Sequence, residues 1–258
     1  MTLSASNIQE STQKAASLIR AAQRGVVLTG AGLSTHSGIP DFRSQGSGLW
    51  TKFLPMEVAS LTTFRRQPEL FYDWLRPLAS HMLSAQPNPA HLALAELERA
   101  GFIKTIITQN IDGLHHRAGS QNILEVHGSL NSMTCIGCYR QVSSEDYIQP
   151  YLELGRYPHC QACGKILKPD IILFEEQLPI KTWLKAEQAS KSCDLMLVAG
   201  TSLEVMPSAR LPMHVVENQA SLIVVNKTLT YIDERAHVLL YGDVAEILPL
   251  LTSEVLRG

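Results

Sequence analysis

The stretch RGVVLTGAGLSTHSGIPDFR, residues 24–43, decides the fold of this 258-residue chain. The mostly apolar residues 26–29 predict a short buried strand, which ends directly in the turn Gly30-Ala31-Gly32. A glycine-rich turn after a strand lets the backbone approach a phosphate, whose charge the free N–H groups bind. The usual dinucleotide-binding pattern has a third glycine where this chain has Thr35. The glycines alone therefore leave a nucleotide site and a plain turn both open.

Strands and helices alternate on either side of this stretch. Apolar periodicity predicts helices over residues 8–22, 89–100 and 207–217, and strands over residues 102–108, 195–199, 222–225 and 237–241. This alternation predicts an α/β fold, with a Rossmann-like parallel sheet covered by helices on both faces.

Two segments interrupt the alternation. Residues 44–80 carry scattered aromatics and prolines and are expected to form a helical insert. Residues 133–168 carry two cysteine pairs and are expected to form a small zinc-ribbon domain. The Rossmann-like domain is then expected over residues 1–43, 81–132 and 169–258.

Small or polar residues follow each predicted strand. In open parallel sheets, ligands bind outside the carboxyl ends of the strands, so these residues are expected to converge on one crevice of nucleotide-binding shape. The clusters are Gly30-Ala31-Gly32, Gln109-Asn110-Ile111-Asp112, Gly200-Thr201-Ser202, Asn226-Lys227 and Gly242-Asp243.

The cysteines indicate a metal site. Cys135-x₂-Cys138 and Cys160-x₂-Cys163 are separated by 21 residues, a spacing typical of a closed tetrahedral site for structural Zn²⁺. An iron–sulfur cluster or a redox pair remains an alternative, and His159 is a rival ligand. The fifth cysteine, Cys193, precedes an apolar run and is expected to be an inert buried thiol.

Composition excludes several classes of protein. Hydrophobic residues make up 45 % of the chain and charged residues 18 %, with a net charge of −2, so no nucleic-acid partner is expected. The first residues are polar and lack the apolar core of a signal peptide, and the apolar stretches are only strand-sized. We expect a cytoplasmic monomer with no membrane partner.

Three longer motifs identify a family. GAGLSTHSGIPDFR (residues 30–43), TQNIDGLHHRAG (residues 108–119) and His127-Gly128 resemble the signatures of the sirtuins, which are NAD⁺-dependent protein deacylases. The resemblance continues through GTSL and the Val-Asn strand end, so it covers nearly the whole chain. It implies NAD⁺ as co-substrate, structural zinc, and acylated-lysine proteins or peptides as substrates.

The resemblance also implies roles for the residues that bind NAD⁺. The turn residues and Ser34 would line the pyrophosphate, Phe42 would shield the ribose, and Asn110 with Asp112 would hold the nicotinamide carboxamide. The full set implied is Gly30, Ala31, Gly32, Ser34, Asp41, Phe42, Arg43, Gln109, Asn110, Ile111, Asp112, Gly200, Thr201, Ser202, Asn226, Lys227, Asp243 and Val244.

His127, with Asn110, is the implied catalytic residue. An imidazole with a pKa near its ordinary value suits general-base work at neutral pH. By resemblance, His127 would deprotonate a ribose hydroxyl, which then takes the acyl group and leaves free lysine and O-acyl-ADP-ribose.

The segment over residues 168–179 resembles the family's substrate-binding strand, with one departure. The usual text ends Phe-Gly-Glu, whereas this chain has Phe174-Glu175-Glu176. Ile172, Leu173 and Phe174 would line an apolar acyl tunnel, and Leu203-Glu204-Val205 would supply a second flanking strand.

Acyl specificity is indicated by the insert. Sirtuins that favour acidic acyl groups carry Tyr-x-x-Arg, but this chain has Leu75 in the arginine position and Arg76 one residue later. A succinyl carboxylate would be buried unpaired, so acetyl and apolar acyl groups are expected.

Other functions stay open. A mono-ADP-ribosyltransferase would use the same NAD⁺ chemistry, and a non-catalytic NAD⁺-binding regulator or zinc-bearing interaction module would not need a base such as His127. A hydride-transferring dehydrogenase is disfavoured, because position 52 is lysine where an acidic residue is expected.

Overall fold

The computed structural model of the chain describes residues 5–41, 48, 51 and 53–258. Phe42 and Arg43, which the sequence assigns to the cofactor, lie outside these residues. The helices, numbered among the described residues, are α1 (Ala5–Ala21), α2 (Pro55–Val58), α3 (Leu61–Arg66), α4 (Pro68–Ser84), α5 (Pro89–Arg99), α6 (Leu114–Arg117), α7 (Glu145–Leu154), α8 (Ile180–Ser192), α9 (Leu211–Glu217) and α10 (Val244–Arg257).

Six strands form the main sheet, and every neighbouring pair is parallel. They are β1 (Gly25–Thr29), β2 (Ile103–Thr108), β3 (Ile123–Glu125), β7 (Leu195–Ala199), β8 (Ser221–Asn226) and β9 (Val238–Tyr241). The spatial order is β3-β2-β1-β7-β8-β9, so the strand order reverses at β1 and β7. A crevice for ligands is expected outside the carboxyl ends of these two strands.

The helices cover both faces of the sheet, which confirms the predicted α/β fold. Helices α1, α5 and α10 contribute Ile19, Leu94 and Leu251 to the core on one face. Helices α8 and α9 contribute Ala186 and Val215 to the core on the other face. Because the strands are buried on both faces, they are continuous apolar runs, and this is why the sequence predicted them closely.

Two elements of this layer were missed by sequence reasoning. Strand β3 has only three residues, too few to give a periodic signal, so the predicted sheet had one strand too few. Helix α8 fully buries only Ala186 and Ser190, which leaves it without a strong apolar stripe.

The second sheet carries the cysteine pairs. Its strands are β4 (Gly128–Cys135), β5 (Gln141–Ser143) and β6 (Leu167–Ile171), in the antiparallel order β5-β4-β6. Helix α7 packs between this sheet and α4. The two cysteine turns lie at the end of β4 and just before β6.

The helical insert and the cysteine-bearing sheet share one aromatic core. Phe64, Phe71 and Tyr72 of the insert are fully buried, and Tyr72 packs edge-on against Tyr151 of α7 at 5.1 Å. The Tyr72 hydroxyl donates to the Leu167 carbonyl of β6 at 2.5 Å. Helix α4 also continues past residue 80, so the proposed division of the chain at that residue falls within a helix.

None of the described helices combines the length and the apolar character needed to cross a membrane. The longest of them, α1 and α4, have 17 residues each.

Candidate active site and metal centre

Two loops meet closely at the carboxyl ends of β1 and β7. A Cβ on Gly30 would lie 2.7 Å from the Thr201 Cβ, and a Cβ on Gly32 would lie 2.9 Å from the Gly200 carbonyl oxygen. Gly200 itself has a φ of +61°, in the region that favours glycine. Close packing between the two loops therefore requires these glycines. From the sequence, Gly30 and Gly32 were interpreted only as allowing a phosphate to approach the backbone.

A cavity of about 580 Å³ opens beside these loops, between the main sheet and the helical insert. The residues lining it include predicted cofactor, catalytic and substrate positions together: Ala31, Ser34, Gln109, Asn110, Ile111, Asp112, His127, Ile172, Leu173, Phe174, Glu175 and Val205. These residues lie in five separate segments of the sequence. The fold brings them to one chamber.

Sequence reasoning missed the apolar residues that complete the walls. Ile39, Trp74, Met82 and Trp183 line the same cavity. Their spacing on helices or loops is the same as that of core residues, so no sequence signal separates them from ordinary packing.

Ser34 fixes the two polar side chains at the floor of the cavity. Its hydroxyl donates to Asp112 Oδ2 at 2.7 Å and accepts from Asn110 Nδ2 at 3.0 Å. The second carboxylate oxygen, Asp112 Oδ1, accepts from the Leu114 amide at 2.8 Å. Asn110 and Asp112 are both buried, so an acceptor and a donor are presented side by side in fixed positions.

His91 lies behind Ser34 and was not singled out from the sequence. The backbone amide of Asn88 donates to His91 Nδ1 at 3.4 Å, so the ring proton of His91 is on Nε2. This Nε2 lies 3.4 Å from Ser34 Oγ. Burial lowers the pKa of His91 to about 4, so the ring is neutral. Asn88 is the N-cap of α5, and an asparagine before Pro89 is a signal that could have located this support.

His115 is buried next to His91, with ring centroids 5.1 Å apart. Its Nε2 lies 3.0 Å from Thr29 Oγ1, and burial lowers its pKa to about 3. It is a neutral packing residue behind the site.

The geometry of His127 defines its tautomer. Its Nδ1 lies 3.0 Å from the Gln109 carbonyl oxygen, which can only accept, so the proton is on Nδ1. Nε2 is therefore the bare nitrogen, with the Ser208 hydroxyl 3.5 Å away. Burial lowers the pKa of His127 below its ordinary value, although the bond to Gln109 opposes this. At neutral pH the ring is an unprotonated base beside the cavity.

The other predicted cofactor residues form a row along the carboxyl edge of the sheet. Gln109 Nε2 donates to Thr201 Oγ1 at 3.2 Å, and Asn226 Nδ2 donates to the Thr201 carbonyl at 2.7 Å. Ser202 follows Thr201 in this loop. Asp41 is half-buried at the end of the described glycine-rich loop.

Asp243 joins three elements at the far end of this row. It caps α10 through the Ala245 amide at 2.8 Å and pairs with Lys227 at 2.6 Å and with His36 at 3.3 Å. Burial tends to raise the pKa of Asp243, but the hydrogen bonds from Lys227 and Ala245 outweigh it and the pKa is lowered. The Val244 side chain packs in the core, so only its backbone faces this edge.

The substrate side differs from the expectation at residues 203–205. Leu203 has a φ of +55° and a buried side chain, so this segment is not a strand in the structure. The left-handed backbone at Leu203 is incompatible with an extended strand, and its side chain packs beneath the sheet. Val205 is the residue of this segment that lines the cavity.

The opposite wall, residues 172–176, is held by backbone pairing. The Ile172 amide donates to the His127 carbonyl at 2.8 Å. The Phe174 amide donates to the Ala59 carbonyl at 3.0 Å, and the Phe174 carbonyl accepts from the Leu61 amide at 3.0 Å. The predicted strand-like segment is thus already paired with the insert on one side.

The four paired cysteines converge as predicted. Their Sγ atoms all lie within 4.8 Å of one another, and the Gly137 and Cys138 amides donate to Cys135 Sγ at 3.3 and 3.5 Å. These amide bonds lower the pKa of Cys135 to about 6, which favours the thiolate that a metal binds. The donor set fits a closed Zn²⁺ site with no open position.

The other thiol and imidazole candidates lie apart from this cluster. The ring of His159 contacts the Tyr157 carbonyl through Nδ1 at 2.7 Å and is not among the metal-disposed groups of the described residues. Cys193 is buried, and burial raises its pKa to about 11, as expected for an inert thiol.

Comparison with known proteins places this arrangement in a family. The Sir2 family model matches residues 30–207. The NAD-dependent protein deacylase 2 of Archaeoglobus fulgidus is 41 % identical over 251 residues, which cover 97 % of this chain and 98 % of that protein.

Solved structures agree with the sequence comparison. A structure described in work on the mechanism and regulation of Sir2 enzymes superposes with a TM-score of 0.91 at 41 % identity, covering 96 % of this chain and 99 % of that one. A Sir2 structure with deacetylated p53 peptide and 3′-O-acetyl ADP ribose has a TM-score of 0.87 at 36 % identity, covering 95 % and 97 %. The predicted resemblance is confirmed: this chain belongs to the Sir2 family, the sirtuins.

Proposed function

We propose that the protein removes acetyl and longer apolar acyl groups from protein lysines in an NAD⁺-dependent reaction that yields nicotinamide, O-acyl-ADP-ribose and free lysine. The observation that carries the proposal is the bare Nε2 of His127 in the same cavity as Asn110 and Asp112. Membership of the Sir2 family and the relatives named NAD-dependent protein deacylase support it.

The polar floor of the cavity would bind the nicotinamide end of NAD⁺. Asp112 can accept from the carboxamide nitrogen and Asn110 can donate to its oxygen, while Ser34 holds both side chains in place. Gln109 would contact the ribose hydroxyls, and the row from Gly30 to Asp243 would hold the phosphates and the adenosine. The co-substrate supplies the ADP-ribose that accepts the acyl group. The proposed roles of Phe42 and Arg43 stay predictions.

His127 would act as the general base. Because Nδ1 holds its proton against the Gln109 carbonyl, Nε2 can take a proton from a ribose hydroxyl. The acyl-lysine would enter along the apolar wall of Ile172, Leu173 and Phe174, with Val205 opposite. This wall keeps water away from the reacting atoms.

The zinc site would be structural. The thiolates of Cys135, Cys138, Cys160 and Cys163 would hold Zn²⁺ and so join the turn after β4 to the turn before β6. None of the four cysteines is among the described residues that line the cavity, so a metal bound by them would not contact the reacting atoms.

The partners are proposed to be acylated-lysine proteins or peptides, with no direct role for nucleic acid or membranes. A cytoplasmic location is supported by four cysteines disposed to bind a metal, a use typical of reducing compartments. The monomeric state stays a prediction, which light scattering of the purified zinc-loaded protein would test.

The deciding experiment is a mass-spectrometric assay of an acetyl-lysine peptide with and without NAD⁺. We expect equal amounts of nicotinamide, O-acetyl-ADP-ribose and free lysine peptide, with His127→Ala lowering turnover by about 100-fold or more. Label from NAD⁺ ending on protein would favour ADP-ribosyl transfer instead. Binding of NAD⁺ with no turnover of acetyl or longer acyl peptides would favour a regulator.

A further inference from the structure

Glu175 adopts a backbone conformation that side-chain-bearing residues rarely take. Its φ is +73°, in the left-handed region that favours glycine, and the sirtuin pattern has glycine at this position. A glutamate kept in this conformation needs contacts that hold it there.

The Glu175 side chain is held by the helical insert. Its Oε2 accepts from the Thr62 amide at 2.9 Å, and Thr62 is the second residue of α3. This carboxylate therefore supplies an acceptor to an amide in the first turn of the helix, which has no intrahelical partner. The Thr62 side chain and amide, and then Arg66, lower the pKa of Glu175, so the contact is made by the ionised carboxylate at neutral pH.

This contact extends a backbone seam. Phe174 is paired through both its amide and its carbonyl with Ala59 and Leu61, and Glu175 adds the bond to Thr62. Ala59, Phe174 and Glu175 all line the cavity. The seam thus joins the insert to the substrate wall where the two close the acyl channel.

The side chain of the next residue, Glu176, bonds to its own loop and to the cysteine-bearing sheet, not to the insert. Glu176 Oε2 accepts from the Leu173 amide at 2.8 Å and pairs with Lys168 of β6 at 3.0 Å. The adjacent glutamates therefore anchor the same short loop on two sides. Glu176 belongs to the usual Phe-Gly-Glu text, whereas the anchor to the insert depends on Glu175.

We propose that Glu175 is a positioning residue for the acyl-lysine substrate, a latch that holds residues 59–62 of the insert against residues 174–175. The proposal rests on the deacylase function proposed above. With the latch closed, the acyl channel is shaped before the substrate arrives. With the latch removed, the peptide has to order the seam itself and binds more weakly.

The chain offers a matched control for helix capping. Ser143 Oγ accepts from the Glu145 amide, in the first turn of α7, at 3.3 Å, so Ser143→Ala removes the same kind of contact from a helix outside the seam. Glu175→Gln keeps an acceptor oxygen and removes only the charge. Glu175→Ala removes the latch.

Steady-state kinetics of the zinc-loaded protein on an acetyl-lysine peptide tests the latch. In Glu175→Ala we expect the KM for peptide to rise about three- to tenfold, with the kcat within about twofold and the KM for NAD⁺ unchanged. Glu175→Gln should shift the peptide KM by no more than about twofold, and Ser143→Ala should leave it unchanged. A Glu175→Ala variant with an unchanged peptide KM, or an equal shift in Ser143→Ala, would overturn the proposal.

NMR-detected hydrogen exchange at the Thr62 amide tests the latch without any turnover. We expect protection in the wild type and exchange about tenfold faster in Glu175→Ala. The proposal is overturned if the Thr62 amide of the wild type exchanges as fast as exposed loop amides. This result can be obtained even where no variant folds. If the wild type removes no acyl group, the proposed function is wrong instead, and the hydrogen-exchange result still tests the contact between Glu175 and Thr62.

Discussion

At the residue scale, the environment of His127 carries the most chemical information. The Gln109 carbonyl fixes the proton on Nδ1, and burial lowers the pKa of the ring. A base works in its neutral form, which is lost as the pH falls through the pKa. With His127 as the proposed base, a lowered pKa should keep the enzyme active into more acidic solution than an ordinary histidine would.

This lowered pKa predicts the acidic limb of the pH profile. We expect kcat/KM for the acetyl-lysine peptide to stay above half of its plateau at pH 6.5, the ordinary histidine pKa. Below the pKa of His127 it should fall about tenfold for each pH unit. The check is a pH–rate profile, with circular dichroism at each pH to show that the fold persists. A half-maximal point at or above pH 6.5 would contradict the assignment.

The residues of the insert predict the acyl groups accepted. Leu75, in the position where sirtuins that favour acidic acyl groups carry arginine, is buried in the aromatic core, and Arg76 donates to the Leu152 carbonyl at 2.9 Å. Trp74 and Met82 face the cavity instead, and no lysine or arginine is among its described lining residues. A carboxylate at the end of the acyl group would be buried without a partner.

We therefore expect succinyl-lysine to be turned over at least about 100-fold less efficiently than butyryl-lysine. Butyryl is the matched control because it has the same carbon count in a neutral chain. Competition between the two peptides, followed by mass spectrometry, measures the ratio directly. Equal rates would show that a cation reaches the acyl group from somewhere in the site.

At the element scale, the loops after β1 and β7 depend on each other. A Cβ on Gly200 would lie 2.5 Å from the Leu33 amide nitrogen, in addition to the strain of a φ of +61°. Gly113 has a similar φ of +68° but open space around its Cβ position. The two glycines therefore separate backbone strain from close packing.

Gly200→Ala should cost about 3 kcal/mol or more of unfolding free energy, whereas Gly113→Ala should cost about 1 kcal/mol. The reason is that only the first substitution forces the β1 and β7 loops apart. Urea unfolding followed by tryptophan fluorescence measures both. Equal losses in the two variants would mean that the loops can separate freely and that strain alone explains the glycine.

Sequence reasoning succeeded where burial repeats along an element and failed where it does not. Strand β7 is buried along its whole length, and its predicted bounds match the observed ones. Strand β3 and helix α8 were missed because one is short and the other buries few side chains. The periodicity of apolar residues reflects burial along a single element. Elements that form mainly through contacts with their neighbours therefore give little signal in the sequence.

In the candidate site too, the sequence identified some residues and gave no signal for others. Motif residues such as Asn110, Asp112 and His127 were named from the sequence, and the fold brings them to one cavity. The walls formed by Trp74 and Met82 could not be named, because a cavity residue and a core residue have the same spacing on a helix. The φ of Glu175 could not be read either, since the sequence shows the substitution but not its compensation by Thr62.

At the scale of the whole molecule, the active site lies between two bodies of different character. The loops beside the six-stranded sheet carry Asn110, Asp112 and His127, the proposed base. The aromatic core shared by the insert and the cysteine-bearing sheet supports the proposed substrate wall, and it includes Ile171 and Leu173 beside Phe71 and Tyr72. Loss of the metal should therefore loosen the proposed substrate wall, because both pack against the same aromatic core.

Zinc removal should loosen both parts of this shared core and spare the main sheet. Without metal the turns at Cys135 and Cys160 lose their link, β4 and β6 loosen, and Tyr72 loses its partner on Leu167. After chelation we expect hydrogen exchange more than about tenfold faster over residues 61–84 and 128–171, with residues 195–199 and 221–226 little changed. Peptide turnover should fall together with the zinc content.

Cys193→Ser is the control for this experiment, because Cys193 is remote from the cysteine cluster and should leave the zinc content at one ion per chain. Re-addition of Zn²⁺ should restore protection in both segments, which separates metal loss from irreversible unfolding. Faster exchange confined to residues 128–171 would mean that the insert stands without the cysteine-bearing sheet. In that case the shared aromatic core is not what couples the metal to the substrate wall, and the seam at Phe174 and Glu175 would have to hold the wall alone.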